Sequence, residues 1–333
     1  MRILSGMKPT GLLHLGNYVG ALKNWAKLQD EYEAYYMIAD LHSLTSNQAQ
    51  YKEETTEYIY NMVVDWLCAG LDPKRSVLFI QSDVPEHCEL FSLFSMITPV
   101  SWLERNPTYK EQMQEIKGKD LDNVGFLAYP VLQAADIAVY QANRVPVGKD
   151  QLPHLEITRE IIRRFHHIYK CRVLVEPEPI LGEVTKLNGL DGRKMSKSYE
   201  NAIYLSDDAE TVRKKVMSMV TDIKRVKRTD PGHPDECNLF PYYLAFKNEE
   251  EFIGQIRNDC TSASMGCVDC KKKLVAALEE FFAEFREKRA ELINDKDYIN
   301  DVLNDGTMRA GKTAKETMLK VREAVGMDCK RRY

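Results

Sequence analysis

The sequence predicts an α/β fold in which a Rossmann-like parallel-sheet domain over residues 1–200 precedes a mostly helical C-terminal domain over residues 201–333. Three observations carry this expectation. Strand-like and helix-like patterns alternate through the first half, as a parallel sheet with crossover helices requires. Beyond Lys197 the pattern is almost wholly helical. A glycine- and proline-punctuated turn also follows the first strand directly, at the sheet end where open α/β folds receive ligands. A chain of 333 residues is long enough for two cores, which suits the division near residue 200.

Taken in order, Arg2 to Gly6 reads as the first strand. A helix follows from about Asn17 to Gln29, with Val19, Leu22, Trp25, Ala26 and Leu28 on or near one face. Ala34 to Asp40 is a second strand, rich in aromatic and aliphatic residues. Tyr51 to Ala69 is an amphipathic helix ended by Gly70 and Pro73, and Ser76 to Gln81 is a third strand. Glu86 to Met96 is helical, and a mostly helical insertion spans about 102–141. Arg144 to Val147 is a further strand, leading into a helix from about Gln151 to Tyr169. The remaining expected helices are Asp207 to Val220, Lys272 to Asn294 and Gly311 to Val325.

A formal net charge of −4 with 29% charged residues excludes a general nucleic-acid coat, so any nucleic-acid contact should be local. Lys8 and Pro9 interrupt the N-terminal region before a signal-type apolar segment can form. No run approaches the ~18–20 apolar residues of a membrane span. These features predict a cytoplasmic protein with no membrane partner, in which eight cysteines are not a disulfide framework.

Two motifs carry the chemistry. The first is His14-Leu15-Gly16-Asn17, between the first strand and first helix. A helix N-terminus there offers free backbone N–H groups and partial positive charge to a polyphosphate. Gly16 allows close backbone approach, and His14 and Asn17 can donate to phosphate oxygens; the competing reading is a plain helix start with an Asn cap. The segment is neither a Walker A loop nor the dinucleotide fingerprint. The second motif is Lys194-Met195-Ser196-Lys197-Ser198, reached through Gly192 and Arg193. Its lysines can neutralise charge growing on a leaving pyrophosphate. Together the motifs point to ATP-dependent activation of a carboxylate. Because a carboxylate is already ionised at neutral pH, attack on the α-phosphorus needs no general base, only alignment and charge stabilisation by Lys194, Lys197, helix termini and Mg²⁺.

A HIGH-type element with a later KMSKS loop resembles the class I aminoacyl-tRNA synthetases. The wider pattern is similar to the bacterial tryptophanyl-tRNA synthetases. It runs through Ser5-Gly6-Met7-Lys8-Pro9-Thr10-Gly11, Tyr129-Pro130-Val131-Leu132-Gln133-Ala134-Ala135-Asp136-Ile137 and Val145-Pro146-Val147-Gly148-Lys149-Asp150-Gln151, and covers nearly the whole chain. The resemblance implies an enzyme that joins L-tryptophan to tRNA(Trp), with ATP and Mg²⁺, as a homodimer. It implies that Asp136 accepts a hydrogen bond from the indole N–H, that Tyr129 and Gln151 hold the amino group, and that Gly6, His42, Gln133, Val145 and Val147 line the pocket. It implies that Lys8, Pro9, Thr10, Gly16, Asn17, Gly148, Lys149, Asp150, Leu187 and the loop from Lys194 to Ser198 surround ATP. His14, Asn17, Lys194, Ser196 and Lys197 take the catalytic roles. The chain departs from the pattern at Lys8, Gln133 and Lys149, where many relatives carry Gln, Met and Glu. The bland alternative for Asp136 is a helix-capping or salt-bridged acid.

The four cysteines Cys237, Cys260, Cys267 and Cys270 stand apart from the scattered Cys68, Cys88, Cys171 and Cys329. Four thiolates with a C-x-x-C turn can close a metal shell, and spacing alone leaves structural Zn²⁺ and an iron–sulfur cluster both open. The resemblance implies a 4Fe-4S cluster, carried by a subset of the family beside the anticodon-binding region. Lys224, Arg225, Lys227, Arg228 and Lys271 to Lys273 flank these cysteines and suit tRNA phosphates. Two other readings stay open: a tyrosine-specific relative, and a non-catalytic tRNA-binding paralogue. The first is disfavoured by the segments around Asp136 and Val145, the second by the intact motifs.

Overall fold

The computed structural model describes residues 1–45, 53–107, 109, 121–182, 186–247 and 249–327. Part of the expected insertion, the start of the expected helix at Tyr51, the side chain of Ser198 and all of Cys329 lie outside the described residues.

Five strands, β1 (Arg2–Met7), β2 (Glu33–Ile38), β3 (Ser76–Ile80), β4 (Arg144–Val147) and β5 (Glu178–Leu181), form one sheet in the order β3-β2-β1-β4-β5. Every pairing is parallel, and the register sets Ile3 beside Ala34 and Arg144, and Ala34 beside Ser76. Alternate residues feed the two faces: Ile3, Tyr36, Ile38 and Leu78 enter one core cluster, while Leu4, Tyr35, Met37, Val77 and Phe79 enter the other. Burial on both faces explains why these strands read as continuous apolar runs.

The first helix begins as α1 (Leu15–Asn17), passes through a π-helical turn at Tyr18–Leu22 and continues as α2 (Lys23–Leu28). It therefore starts two residues before the expected Asn17. The second strand ends at Ile38, and Asp40 opens α3 (Asp40–Leu44) rather than closing the strand. Next come α4 (Glu53–Cys68), α5 (Glu86–Ser95), α6 (Val100–Glu104), α7 (Val124–Val139) and α8 (Leu152–Tyr169). Leu90, Leu93 and Phe94 of α5 are buried and Glu89 pairs with Arg322, while Met96, just after the helix, is 75% exposed. The C-terminal part is helical as expected: α9 (Ala209–Ser218), α10 (Phe240–Phe246), α11 (Glu250–Thr261), α12 (Cys267–Leu292) and α13 (Lys296–Ala324).

The last helix starts at Lys296, well before the expected Gly311, and returns to the sheet. Its Ile299 and Val302 join the core of one sheet face, and Ala310, Ala314 and Met318 join that of the other. Between them Gly306 lies against the backbone of Leu78, so α13 crosses the outer edge of β3. Covering an edge strand in this way removes a template for unwanted pairing. No helix among the described residues is long and apolar enough to cross a membrane.

Candidate active site

The strand order reverses between β1 and β4, which opens a crevice beyond their carboxyl ends. A cavity of about 760 Å³ occupies it. Gly6 and Lys8 enter from the end of β1, and Val145, Val147 and Gly148 from the end of β4. His42, Tyr129, Gln133, Asp136 and Gln151 complete the wall from the surrounding helices. All eight residues expected to hold the amino acid thus meet in one cavity. Gly148 lies close to the Asp150 carboxylate, where a Cβ would come 2.6 Å from Oδ1 unless that side chain turned aside.

Asp136 lies on α7, 2% exposed, and both its oxygens are engaged. Oδ1 accepts from Gln81 Nε2 at 2.8 Å and from His87 Nδ1 at 2.6 Å, while Oδ2 meets His42 Nε2 at 2.7 Å. Burial alone would push the carboxyl up, but His42 and His87 outweigh it and hold the group down at about 2. It is a buried carboxylate at neutral pH. His87 Nε2 stands 2.8 Å from the Tyr140 hydroxyl, whose proton is retained because burial and the Asp136 charge raise its pKa. Because the Asp136 carboxylate only accepts, His87 directs an Nδ1 proton to it and meets the Tyr140 hydroxyl through Nε2. Gln81, His87 and Tyr140 are residues that sequence reasoning missed. The available signal was Gln81, a polar residue directly after an apolar strand.

Tyr129 is held by a fourth missed residue, His154, whose Nε2 lies 2.5 Å from the phenol oxygen. Burial lowers the His154 pKa to about 4, against an opposing pull from Asp150, so its ring is neutral at pH 7. Gln151 donates from Nε2 to Asp150 Oδ2 at 3.0 Å, at the end of the short turn Lys149–Gln151.

The two signature motifs meet beside this cavity rather than in its walls. His14 caps α1: its Nδ1 accepts from the Asn17 N–H at 3.2 Å, and Asn17 Oδ1 accepts from the His14 N–H at 3.0 Å. The cap is therefore His14 rather than the expected Asn17, which sits at the third helical position and closes the capping box, and this leaves His14 Nε2 and Asn17 Nδ2 as the side-chain donors. Burial, then the Lys197 charge, lowers the His14 pKa to about 4. Lys197 lies across Gly11, where a Cβ would come within 3.0 Å of its Nζ. Burial brings the Lys197 pKa down to about 8. Gly16 faces Met195, and Leu187 and Met195 are both buried in the same core cluster. Of the turn residues, Lys8 lines the cavity; Thr10 donates its N–H to the Lys8 carbonyl at 2.9 Å, and Pro9 is buried. Backbone bonds from Leu15 to Ile203 and from Leu205 to Leu13, both 2.9 Å, clamp the segment after the loop onto the first motif.

The Lys194–Ser198 loop has its own clip in Asn201, 3% exposed. Its Oδ1 accepts from the Ser196 N–H at 2.9 Å, and its Nδ2 donates to Asp191 Oδ1 at 2.7 Å and to the Lys194 carbonyl at 3.2 Å. A Cβ on Gly189 would fall 2.3 Å from that amide, so only glycine fits. Lys194 bridges to Asn188 across the loop.

Cys237, Cys260, Cys267 and Cys270 come together from the turn before α10, from α11 and from the first turn of α12. Burial raises the thiol pKa of Cys237, Cys260 and Cys270, the last to about 12; Cys260 and Cys267 add to the shift of Cys237, Cys267 to that of Cys260, and all three other thiols to that of Cys270. No disulfide joins any of the seven described cysteines. Among the described residues no three His, Cys, Asp or Glu side chains converge at the spacing of a single metal ion.

A family model described as tRNA synthetases class I (W and Y) matches residues 1–283. The tryptophan–tRNA ligase of Thermotoga maritima is 49% identical over 98% of this chain and 99% of its own length. That of Aquifex aeolicus is 42% identical over 98% of this chain and 100% of its own length. The crystal structure of Campylobacter jejuni tryptophanyl-tRNA synthetase complexed with ADP and tryptophan superposes with a TM-score of 0.86 at 35% identity, covering 98% of this chain and 100% of that one. The parallel sheet, the paired motifs and these likenesses define a class I aminoacyl-tRNA synthetase, an aminoacyl-tRNA ligase. Within that class the chain belongs to the bacterial tryptophanyl-tRNA synthetases.

Proposed function

We propose that the chain acts as a tryptophan–tRNA ligase at the cavity between β1 and β4. A tryptophan carboxylate oxygen attacks the α-phosphorus of ATP, pyrophosphate leaves, and the terminal ribose hydroxyl of tRNA(Trp) then displaces AMP from the carbonyl. One observation carries the reading: Asp136 is a buried carboxylate on the cavity wall with three donors for about four lone-pair positions. The remaining position, on Oδ2, suits an indole N–H. Tyrosine and phenylalanine rings lack that donor and would leave the oxygen unpaired, the kind of contrast that gives strong discrimination. Tyr129 and Gln151 take the amino group, with Gly6, His42, Gln133, Val145 and Val147 around the ring. ATP lies towards Lys8, Gly16, Asn17, Gly148 and the Lys194–Ser198 loop, with Pro9, Thr10, Lys149, Asp150 and Leu187 shaping that side. Mg²⁺ supplies charge on the phosphates. Pyrophosphate exchange compared across tryptophan, tyrosine and phenylalanine tests this; exchange as fast with tyrosine as with tryptophan would overturn the Asp136 assignment.

The four thiols, on this reading, hold a 4Fe-4S cluster that orders the chain around the anticodon-reading end. The support is the resemblance in cysteine spacing, together with the neighbourhood of Cys270 to Cys237, Cys260 and Cys267 in the fold. The division of labour follows, with activation in residues 1–200 and tRNA reading in 201–333. Lys224, Lys227 and Arg228 lie beside the quartet for tRNA phosphates. We further propose that the protein works in the cytoplasm as a homodimer, with exposed Met96 and Val100 available to a second copy.

A further inference from the structure

We propose that Asn238 and Tyr242 are positioning residues for amino-acid activation, tying the root of the Lys194–Ser198 loop to the four-cysteine site. The inference rests on that loop being an ATP-handling element. The loop hangs from Asn188 and Gly189, with Asn188 bridged to Lys194. Tyr242 donates its hydroxyl to the Asn188 carbonyl at 2.5 Å, and Asn238 Nδ2 donates to the Gly189 carbonyl at 2.8 Å. Both donors are buried, at 0% and 8% exposure, so water does not compete for these carbonyls. The neighbouring Leu190 is held as well: its N–H donates to the Asn201 carbonyl and its own carbonyl accepts from Val220, each at 2.8 Å.

The same two side chains are joined to the cysteines by covalent adjacency. Asn238 follows Cys237 directly. Tyr242 precedes Tyr243, whose hydroxyl donates to the Cys270 carbonyl at 2.6 Å and lies 3.7 Å from Cys270 Sγ. One short helix, α10, therefore carries contacts to the loop root and to the quartet on consecutive residues. A shift at the quartet moves α10, and α10 moves the two carbonyls from which the loop is suspended. A loop that must place Lys194 and Lys197 on phosphate is sensitive to such shifts, because a misplacement of about 1 Å can cost about 100-fold in rate.

The test uses the full-length protein with Tyr242→Phe, Asn238→Ala and Tyr243→Phe. Tyr242→Phe removes one hydroxyl and keeps the ring, so it remains informative should Asn238→Ala fold poorly. The expected result in pyrophosphate exchange is a fall of about five- to tenfold in kcat/KM for ATP, with the tryptophan KM within about twofold of the parent. Trypsin nicking after Arg193, Lys194 or Lys197 should accelerate by a similar factor, a readout independent of activity. Tyr243→Phe should move both readouts in the same direction, and its effect should be non-additive with Tyr242→Phe. Unchanged ATP kinetics and nicking in Tyr242→Phe, or an equal loss of the ATP and tryptophan terms, would overturn the positioning role. Tyr243→Phe without effect on either readout would overturn the link to the quartet. Lys197→Ala separates the two levels: if it leaves exchange intact, the reading of the loop itself fails.

Discussion

Asp136 shows how a single side chain is prepared for its task. Desolvation works against its charge, and the two imidazoles of His42 and His87 overcome it. Asp136→Ala should reduce tryptophan activation by about 10- to 100-fold, from the loss of a charge-assisted hydrogen bond, with ATP binding nearly unchanged. Equal losses in the two terms, measured by exchange kinetics and by nucleotide titration, would contradict the assignment. Because its folded pKa is depressed, Asp136 contributes stability above the unfolded value of ~3.9, and that contribution disappears as pH falls through about 2. Lys197 behaves in the opposite sense. Its pKa near 8 means that the cation proposed to face phosphate is lost as pH rises past that point, so kcat/KM for ATP should fall through about pH 8. Burial of the cation costs stability below about 8, and unfolding titrations should show stability rising between there and the ordinary lysine value of ~10.4. Asp136 and the loop lysines were legible in the sequence because they sit in contiguous motifs. Gln81, His87, Tyr140 and His154 were not, since no linear spacing says that residues 81, 87 and 136 meet across a sheet.

Elements were legible where one period held over several residues. β2 and β3 are apolar runs of aromatic and branched residues, and β4 falls where expected. β5 escaped because Pro177 and Pro179 break the strand pattern, yet an edge strand with one unpaired side tolerates proline. The π turn at Tyr18–Leu22 had no signature, as π turns arise from local accommodation and gather at functional sites. In α13, Gly306 and Gly311 concealed fifteen helical residues before the expected start. Gly306 has a physical reason to be glycine, since a Cβ would lie 1.7 Å from the Leu78 carbonyl oxygen. Gly306→Ala should therefore destabilise the protein by about 2–3 kcal/mol through overpacking, whereas Gly311→Ala, with open space around it, should be neutral or slightly stabilising. Denaturant midpoints of the two variants give the comparison.

At the scale of the molecule, one helix, α10, borders the cavity through Leu244 and Ala245 and meets the four-cysteine site through Tyr243. The cavity is built by strand ends and the helices near them, and the cysteines stand in the helical part, joined to it through α10. Protein purified without oxygen should be brown, with a broad visible absorbance and about four irons per chain. A colourless preparation with one zinc per chain would refute the cluster. The crossing of α13 over β3 has a further consequence during synthesis. The sheet leaves the ribosome long before its last helix does, so the nascent chain carries a bare strand edge through most of its translation. Chains released early would keep that edge, and ribosomal stalling before Gly306 should yield species that self-associate or recruit chaperones, while full-length chains sequester the edge as soon as they are complete.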